Sequence, residues 1–487
     1  MKAALIMLAL LAAGCTTVGP VYERPDVGLQ DGERFVYQQA PTSAPTQADL
    51  RWWEQFDDPQ LTQWVDRALA GNLDIAIAFE RIDQAAAALQ GAQGRLRPTL
   101  DASSQVTANY RRGNINTNSR TTTQNTNNSP SASAGLQFDW ALDLWGGLRQ
   151  AERAAAASLM QQHDLAQASR LATAGLTARS YLSWRETQRE QALLEQTLQL
   201  RKETQRIVAV RVDVGLAPPL DLVRAKSDLA TVQAELDAAA ASVKQAELAL
   251  HILAGERLAA PSPTQAVQTM PPLPALDQPV PTPRPVDLLR LRPDVRAAER
   301  ALIAAYANVG VAESELYPQL RLPGQLLLTA TGLGTGSVVS SLTSSLGGAL
   351  SFPLFDGGQR RAELSAAQSR AREATLVYRR TVLEALEQAE SALLAHQTTR
   401  SQLVARRAAA EASDASLEQV RTLYTEGLTD FLDVLEVQRT WLANRRDLMR
   451  TQGDVARAQI ALFEAMGLIE NRNVPPSAAE PAAAAEN

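Results

Sequence analysis

One tract occurs twice in this chain. Val210 to Lys226 reads VRVDVGLAPPLDLVRAK, and Val420 to Trp441 reads VRTLYTEGLTDFLDVLEVQRTW. Gly215 matches Gly427, Leu216 matches Leu428, Leu220 matches Leu432 and Asp221 matches Asp433, each pair 212 positions apart. Other matches keep step: Asp74 with Asp294 and Pro98 with Pro318 at 220, Gly146 with Gly357 at 211, Gly255 with Gly467 at 212. Length alone predicts about three domains. The repeat overrides that prior and makes the chain two copies of one design. The drop from 220 to 211 puts nine additional residues between Pro98 and Gly146.

Each half reads as helix, strand-like segment, long helix, turn, helix. The strand-like segments alternate with a period of two. Ala132, Ala134, Leu136, Phe138 and Trp140 interleave with Ser131, Ser133, Gly135, Gln137 and Asp139. Leu100, Ala102, Val106, Ala108 and Tyr110 behave likewise, and Leu346, Leu350, Phe352 and Leu354 share one face. Strands of about ten residues, apolar outside and polar inside, build membrane β-barrels. A half-buried soluble hairpin alternates equally well. Two hairpins cannot close a barrel, and lipid forbids open edges, so the membrane reading requires several chains to pool their strands. The Asn/Thr/Arg-rich stretch Gly113 to Asn128 reads as an external loop that holds the additional length.

From Gly147 to about Asp213 the chain has no proline and no obvious break, and Gly358 to about Glu426 is its partner. At about 1.5 Å per residue each is a rod of roughly 100 Å. After the turns the apolar residues repeat every seven: Leu222, Leu229, Leu236, Val243 and Leu250, then Val434, Trp441, Leu448, Val455 and Leu462. A second line, Leu435, Leu442, Met449, Ala456 and Phe463, widens the second seam. Sustained heptads specify left-handed coiled-coil packing. Gly215 and Gly427 therefore end the rods, where a left-handed residue closes the last turn. Pro218-Pro219 and Thr429-Asp430 start the returning helices. Each motif is the tip of an antiparallel helical hairpin.

The chain starts MKAALIMLALLAAGC, with Lys2, an apolar run from Ala3 to Ala13 and Gly14-Cys15. The run is too short to cross a bilayer as a helix and has the form of a secretory signal. Cys15 is the only cysteine, so no internal disulfide forms. Its position resembles a bacterial lipobox, which implies cleavage before Cys15 and lipidation there; Thr16, not Asp, implies sorting to the outer membrane. Formal net charge is −6 with no basic block, which gives no sign of a nucleic-acid partner.

The motifs Arg51-Trp-Trp-Glu-Gln-Phe-Asp-Asp-Pro-Gln-Leu61, Gly71-Asn-Leu-Asp74, Phe138-Asp-Trp-Ala-Leu-Asp-Leu-Trp-Gly-Gly147, Phe352-Pro-Leu-Phe-Asp-Gly-Gly358 and the two tips resemble the TolC-like outer-membrane factors, lipoprotein branch. The likeness covers nearly the whole mature chain. It implies an α+β membrane protein: a homotrimer with four strands per chain in a 12-stranded β-barrel, a 12-helix periplasmic α-barrel and a mixed equatorial belt. It further implies a periplasmic adaptor docked at the tips (Gly215, Leu216, Gly427, Leu428), an inner-membrane pump, and a passive gated duct for drugs or other small molecules. In these channels a Leu, an acid and an Arg on the returning helix form the constriction, which corresponds here to Leu432, Glu436 and Arg439; Asp433 matches an acidic gate position. Arg224 and Ala225 stand in the first half instead, so the tips are not equivalent. Asp221 and Asp433 also suit a helix N-terminus without any gate.

The division that follows is a signal peptide over 1–14, a lipid anchor and equatorial segment over 15–60, and a helix over 61–98. The first barrel hairpin takes 99–145; the long helix, tip and returning helix take 146–255. A Pro-rich link takes 256–286 and a helix 287–318. The second hairpin takes 319–356, the second long helix, tip and returning helix 357–467, and a tail 468–487. Two other functions compete: the outer-membrane duct of a type I protein secretion system, and a lipid-anchored coiled-coil scaffold without a pore. No catalytic chemistry is expected. Gly332 to Ser337 lacks the last glycine of a dinucleotide loop, and His163, His251 and His396 have no metal-ligand spacing. Apart from lipid at Cys15 no cofactor is expected. Trp52 and Trp53 are expected to pack the N-terminal segment rather than stack on sugar.

Overall fold

The computed structural model describes residues 17–30, 32–38, 42–115, 123–257, 273–274, 276, 279–331 and 338–470. Cys15, the stretch 332–337 and most of the Pro-rich link and the tail lie outside them. The first half contains α1 (Pro59–Gly71), α2 (Leu73–Gly94), β1 (Thr99–Ile115), β2 (Thr123–Leu142), α3 (Gly147–Asp213) and α4 (Pro219–Leu253). The second contains α5 (Leu288–Leu291), α6 (Pro293–Ser314), β3 (Gln319–Thr331), β4 (Val339–Leu346), β5 (Ala349–Ser351), α7 (Gln359–Glu426) and α8 (Phe431–Ala465). Among the described residues no helix is long and apolar enough to cross a membrane.

The contacts divide the chain into two units, each drawing on both halves. The first comprises 1–25, 83–161 and 298–377. It holds one antiparallel sheet in the order β1-β2-β3-β4. Leu100 faces Phe138, Leu136 faces Leu326, and Leu328 faces Leu342. These registers put every even-numbered residue on one face and every odd-numbered one on the other. The even face carries Leu100, Val106, Leu136, Leu326, Leu342 and Leu346, all exposed. The odd face carries Ser103, Gln105, Ser133, Gln137, Gln325 and Thr343. Within the chain, β1 and β4 each pair on one side only. Pro323 lies inside β3 and offers only its carbonyl, to Gly347 N at 3.0 Å, so β4 and β5 are one strand with a gap opposite it.

The nine additional residues do not sit in a loop. β1 and β2 pair out to Ile115 opposite Thr123, with 17 and 20 residues against 13 in β3 and 8 in β4. The polar composition of 113–128 suits a loop, but ladder bonds belong to the backbone and do not require apolar side chains.

The second unit comprises 26–82, 162–297 and 378–487. Its core gathers Trp52, Trp53, Trp64, Tyr181, Leu250 and Phe463. Trp52 is fully buried and stacks on Phe463 with ring centroids 5.4 Å apart, so the tryptophan pair packs the N-terminal segment as expected. Tyr181 Oη donates to Asp58 at 2.7 Å, and Asp58 caps α1 at Gln60 N and Leu61 N.

The stretches read as single helices over 61–98 and 287–318 are each broken, at Asn72 and Arg292. Both residues take extended backbone conformations. Asn72 Nδ2 donates to Leu253 O at 2.9 Å, and Arg292 Nη1 donates to Ala465 O at 2.9 Å. Leu253 and Ala465 are 212 apart. The repeat thus preserves a bond from the break to the end of the returning helix while changing the residue that makes it. Periodicity alone does not reveal such a break, because apolar spacing continues across it.

Candidate functional site: the paired hairpin tips

Both tips belong to the second unit. Gly215 has φ +73° and Gly427 φ +82°. Leu216 N donates to Arg211 O at 2.7 Å and Gly215 N to Val212 O at 3.0 Å; Leu428 N donates to Leu423 O at 2.8 Å and Gly427 N to Tyr424 O at 3.1 Å. These are two copies of one left-handed helix closure, in which glycine carries no steric penalty. Leu216 and Leu428 are both 69% exposed at the apex. Behind them Val208, Ala225, Val420, Tyr424, Phe431, Val434 and Leu435 form a small core shared by the two hairpins.

Arg211 ties one tip to the other. Its Nη1 donates to Tyr424 O at 2.5 Å, and its guanidinium lies 4.8 Å from the centre of the Tyr424 ring. Burial pushes the Tyr424 hydroxyl up from its ordinary range, with Arg211 opposing. Arg211 is a second donor to this carbonyl, which also accepts from Gly427 N.

The four expected gate residues separate into two settings. Leu432, Asp433, Glu436 and Arg439 are all exposed in the single chain. Asp433, in the first turn of α8, accepts through Oδ2 from Thr429 Oγ1 just before the helix, at 2.5 Å. Arg439 pairs with Asp228 on α4 at 3.4 Å; among the described residues Glu436 forms no ion pair. In the first tip, Arg224 lies 3.5 Å from Asp221 on its own helix.

Asp228 belongs to a network absent from the sequence reading. Arg201 on α3, 4% exposed at its side chain, holds the other oxygen of Asp228 at 2.8 Å and donates to Gln438 on α8. Gln438, fully buried, donates to Thr204 at 3.1 Å. Burial lowers the Arg201 pKa from its ordinary range, with Asp228 opposing the shift. One heptad on, Arg446 joins Glu190 at 2.6 Å and Glu235 at 2.7 Å. The signal was present: Arg439 and Arg446 are seven apart, as are Asp228 and Glu235. In α4 Ala225, Val232 and Ala239, three positions on from the expected Leu222 line, are buried; of that line Leu222, Leu229, Leu236 and Val243 are half-buried and Leu250 is fully buried.

An antiparallel sheet with an apolar face and, among the described residues, two unpaired edges, together with paired heptad hairpins closed by glycine, defines a protomer of an outer-membrane channel. The chain belongs to the outer membrane efflux protein family, whose pattern it matches over residues 64–256 and 285–468. It is 31% identical to nodulation protein T of Rhizobium leguminosarum bv. trifolii, over 94% of this chain and 95% of that protein. It is 27% identical to the toluene efflux pump outer membrane protein TtgF of Pseudomonas putida, over 95% of each chain. The solved outer-membrane channel OprN superposes with a TM-score of 0.80 at 30% identity, covering 92% of this chain and 98% of that one. The chain therefore has the fold of the TolC-like channels and is an outer-membrane efflux protein. Its relatives favour efflux over the protein-secretion alternative, and its family is one of channel proteins.

Proposed function

We propose that three copies of this chain pool their four strands into a 12-stranded barrel and their helices into a periplasmic tunnel, forming the passive duct of a tripartite pump for drugs or other small molecules. The observation that carries this is the sheet: an exposed apolar face and two edges that a bilayer does not tolerate unpaired. Lipid at Cys15 supplies an additional anchor. Gly215, Leu216, Gly427 and Leu428 dock a periplasmic adaptor, which links the duct to an inner-membrane pump. Leu432, Asp433, Glu436 and Arg439 narrow the resting tip, with Asp228 and Arg201 as the support that positions Arg439.

Purified protein in planar bilayers is the test. The wild type is expected to be a trimer with low resting conductance. Combined Leu432→Ala, Glu436→Ala and Arg439→Ala substitution is expected to raise it with the trimer intact. A chain that forms no channel is a scaffold; wild-type conductance in the triple variant places the gate elsewhere. Mass spectrometry of the mature N-terminus checks lipid on Cys15, and an unmodified cysteine ends that part of the proposal.

A further inference from the structure

Helices α3 and α8 share a pattern that the repeat does not explain. On α3 it is Gly175, Arg179 and Glu186; on α8 it is Gly453, Arg457 and Glu464. In each, arginine follows glycine by four positions and glutamate follows arginine by seven. Each glutamate lies on the other helix's glycine. Glu186 meets Arg457 at 2.7 Å, and Glu464 meets Arg179. A Cβ on Gly453 would overlap the Glu186 carboxylate, and a Cβ on Gly175 the Glu464 carboxylate. The positions 212 later on α7 are Glu387, Ser391 and Thr398; those 212 earlier on α4 are Ala241, Gln245 and Ile252. Neither set can reproduce the arrangement, so it belongs to the α3–α8 seam alone.

The seam changes character on the tip side of this pair. At the clasps the helices share an apolar cluster containing Ala174, Ala178, Tyr181, Ala456, Ile460 and Phe463. Between the clasps and the apolar core at the tips the seam carries polar contacts: Arg189 with Gln452 at 3.1 Å, Arg446 with Glu190 at 2.6 Å, then Arg201 with Gln438. Polar partners can be exchanged without exposing apolar surface. The clasps cannot slide in this way. One turn of sliding moves a carboxylate from glycine onto Met449 or Arg457 on one helix, and onto Leu171 or Arg179 on the other.

We propose that the two reciprocal glutamate–arginine clasps, each seated on a glycine, fix α3 against α8 and form the pivot about which the tips open. The proposal rests on the gated-duct reading above. Burial pushes both carboxyls above their ordinary range, with Arg457 and Arg179 opposing.

Cysteine pairs test this in the full-length trimer, because Cys15 is the only native cysteine. Glu186→Cys with Arg457→Cys removes one clasp; Arg201→Cys with Gln438→Cys marks the polar seam. Without a cross-linker the clasp pair is expected to raise resting conductance severalfold. A short bis-maleimide across it should restore wild-type conductance and leave drug efflux by the host intact. The same reagent across the 201/438 pair should abolish efflux. Wild-type conductance in the uncross-linked clasp pair, loss of efflux when the clasp is cross-linked, or full efflux with the 201/438 pair cross-linked overturns the pivot. Gly175→Ala and Gly453→Ala provide an independent check if the cysteine pair does not assemble: each should raise resting conductance severalfold in a trimer, and wild-type values in both overturn the proposal. Failure of the duct reading is distinguishable, because the wild type itself would then give no trimer or no channel.

Discussion

The two tips have the same backbone and different side-chain chemistry. Both close on a left-handed glycine with the same pair of hydrogen bonds, and both expose a leucine at the apex. The first restarts on Pro218-Pro219, whose fixed φ limits rearrangement. The second restarts on Asp430 with no side-chain cap, and its Asp433 is engaged by Thr429. Arg211 reaches from the first tip to a carbonyl of the second, and no equivalent reaches back: Leu423 occupies the position 212 later. Duplication preserved the turn, which only glycine makes cheaply. The side chains then diverged, leaving one stiff tip and one held by polar contacts.

The largest expected effect is at the support of the second tip. Asp228→Ala leaves Arg201 buried without its carboxylate, which costs about 3–5 kcal/mol. Arg439→Ala removes a 69% exposed partner of the same acid and costs only about 0.2–1 kcal/mol. Thermal unfolding of the two variants separates them; equal losses would show that Arg439, not Arg201, anchors Asp228. Next, Arg211→Ala should cost about 1.5–3 kcal/mol, the range for a hydrogen bond from a charged group. It should loosen the second tip more than the first, read as faster hydrogen exchange at Gly427 and Leu428 than at Gly215 and Leu216. Equal exchange at both tips would contradict the one-way strap.

Valine at either glycine forces a β-branched residue into the left-handed region, at about 1–2 kcal/mol. The two losses should be similar, because a Cβ at Gly427 makes only an ordinary contact with Arg211 Nη2 at 3.7 Å and one at Gly215 meets open space. Cross-linking to the adaptor should weaken in both; full cross-linking in both would remove the tips from the docking surface. The smallest effect is a pH slope. Glu186 and Glu464 have raised carboxyl pKa values in the folded chain, so their contribution is present in full below the ordinary value of 4.5 and is lost as pH rises through the raised values. The thermal midpoint should fall over that window, and Glu464→Gln should flatten the fall; an unchanged slope would show that these carboxyls do not titrate together with folding.

Much of this was legible because long-range order here is mostly repetition. The rods end at Asp213 and Glu426, as an unbroken run followed by glycine predicts. The sheet faces follow from alternation at Leu136, Phe138 and Trp140. The helix breaks at Asn72 and Arg292 were not legible, because each depends on a carbonyl about 180 positions away, at Leu253 or Ala465. The hidden Arg201–Asp228 pair was missed for a related reason. A charged residue beside a heptad line reads as solvated until a second helix covers it. The clasps were missed because their spacing crosses the repeat instead of following it.

The uneven hairpins have a practical consequence. β2 pairs with β3 only as far as Ser131 opposite Thr331, so Thr123 to Pro130 pairs with β1 alone. Among the described residues of the chain, the first hairpin therefore ends in a two-stranded ribbon, and such a ribbon contributes little to stability. Within the sheet a one-residue insertion would turn every later side chain to the wrong face. Between Ile115 and Thr123 it would shift no ladder that involves β3 or β4. An epitope, a purification tag or a short binding peptide inserted there would leave the barrel's pairing untouched, which makes this ribbon the natural site for display.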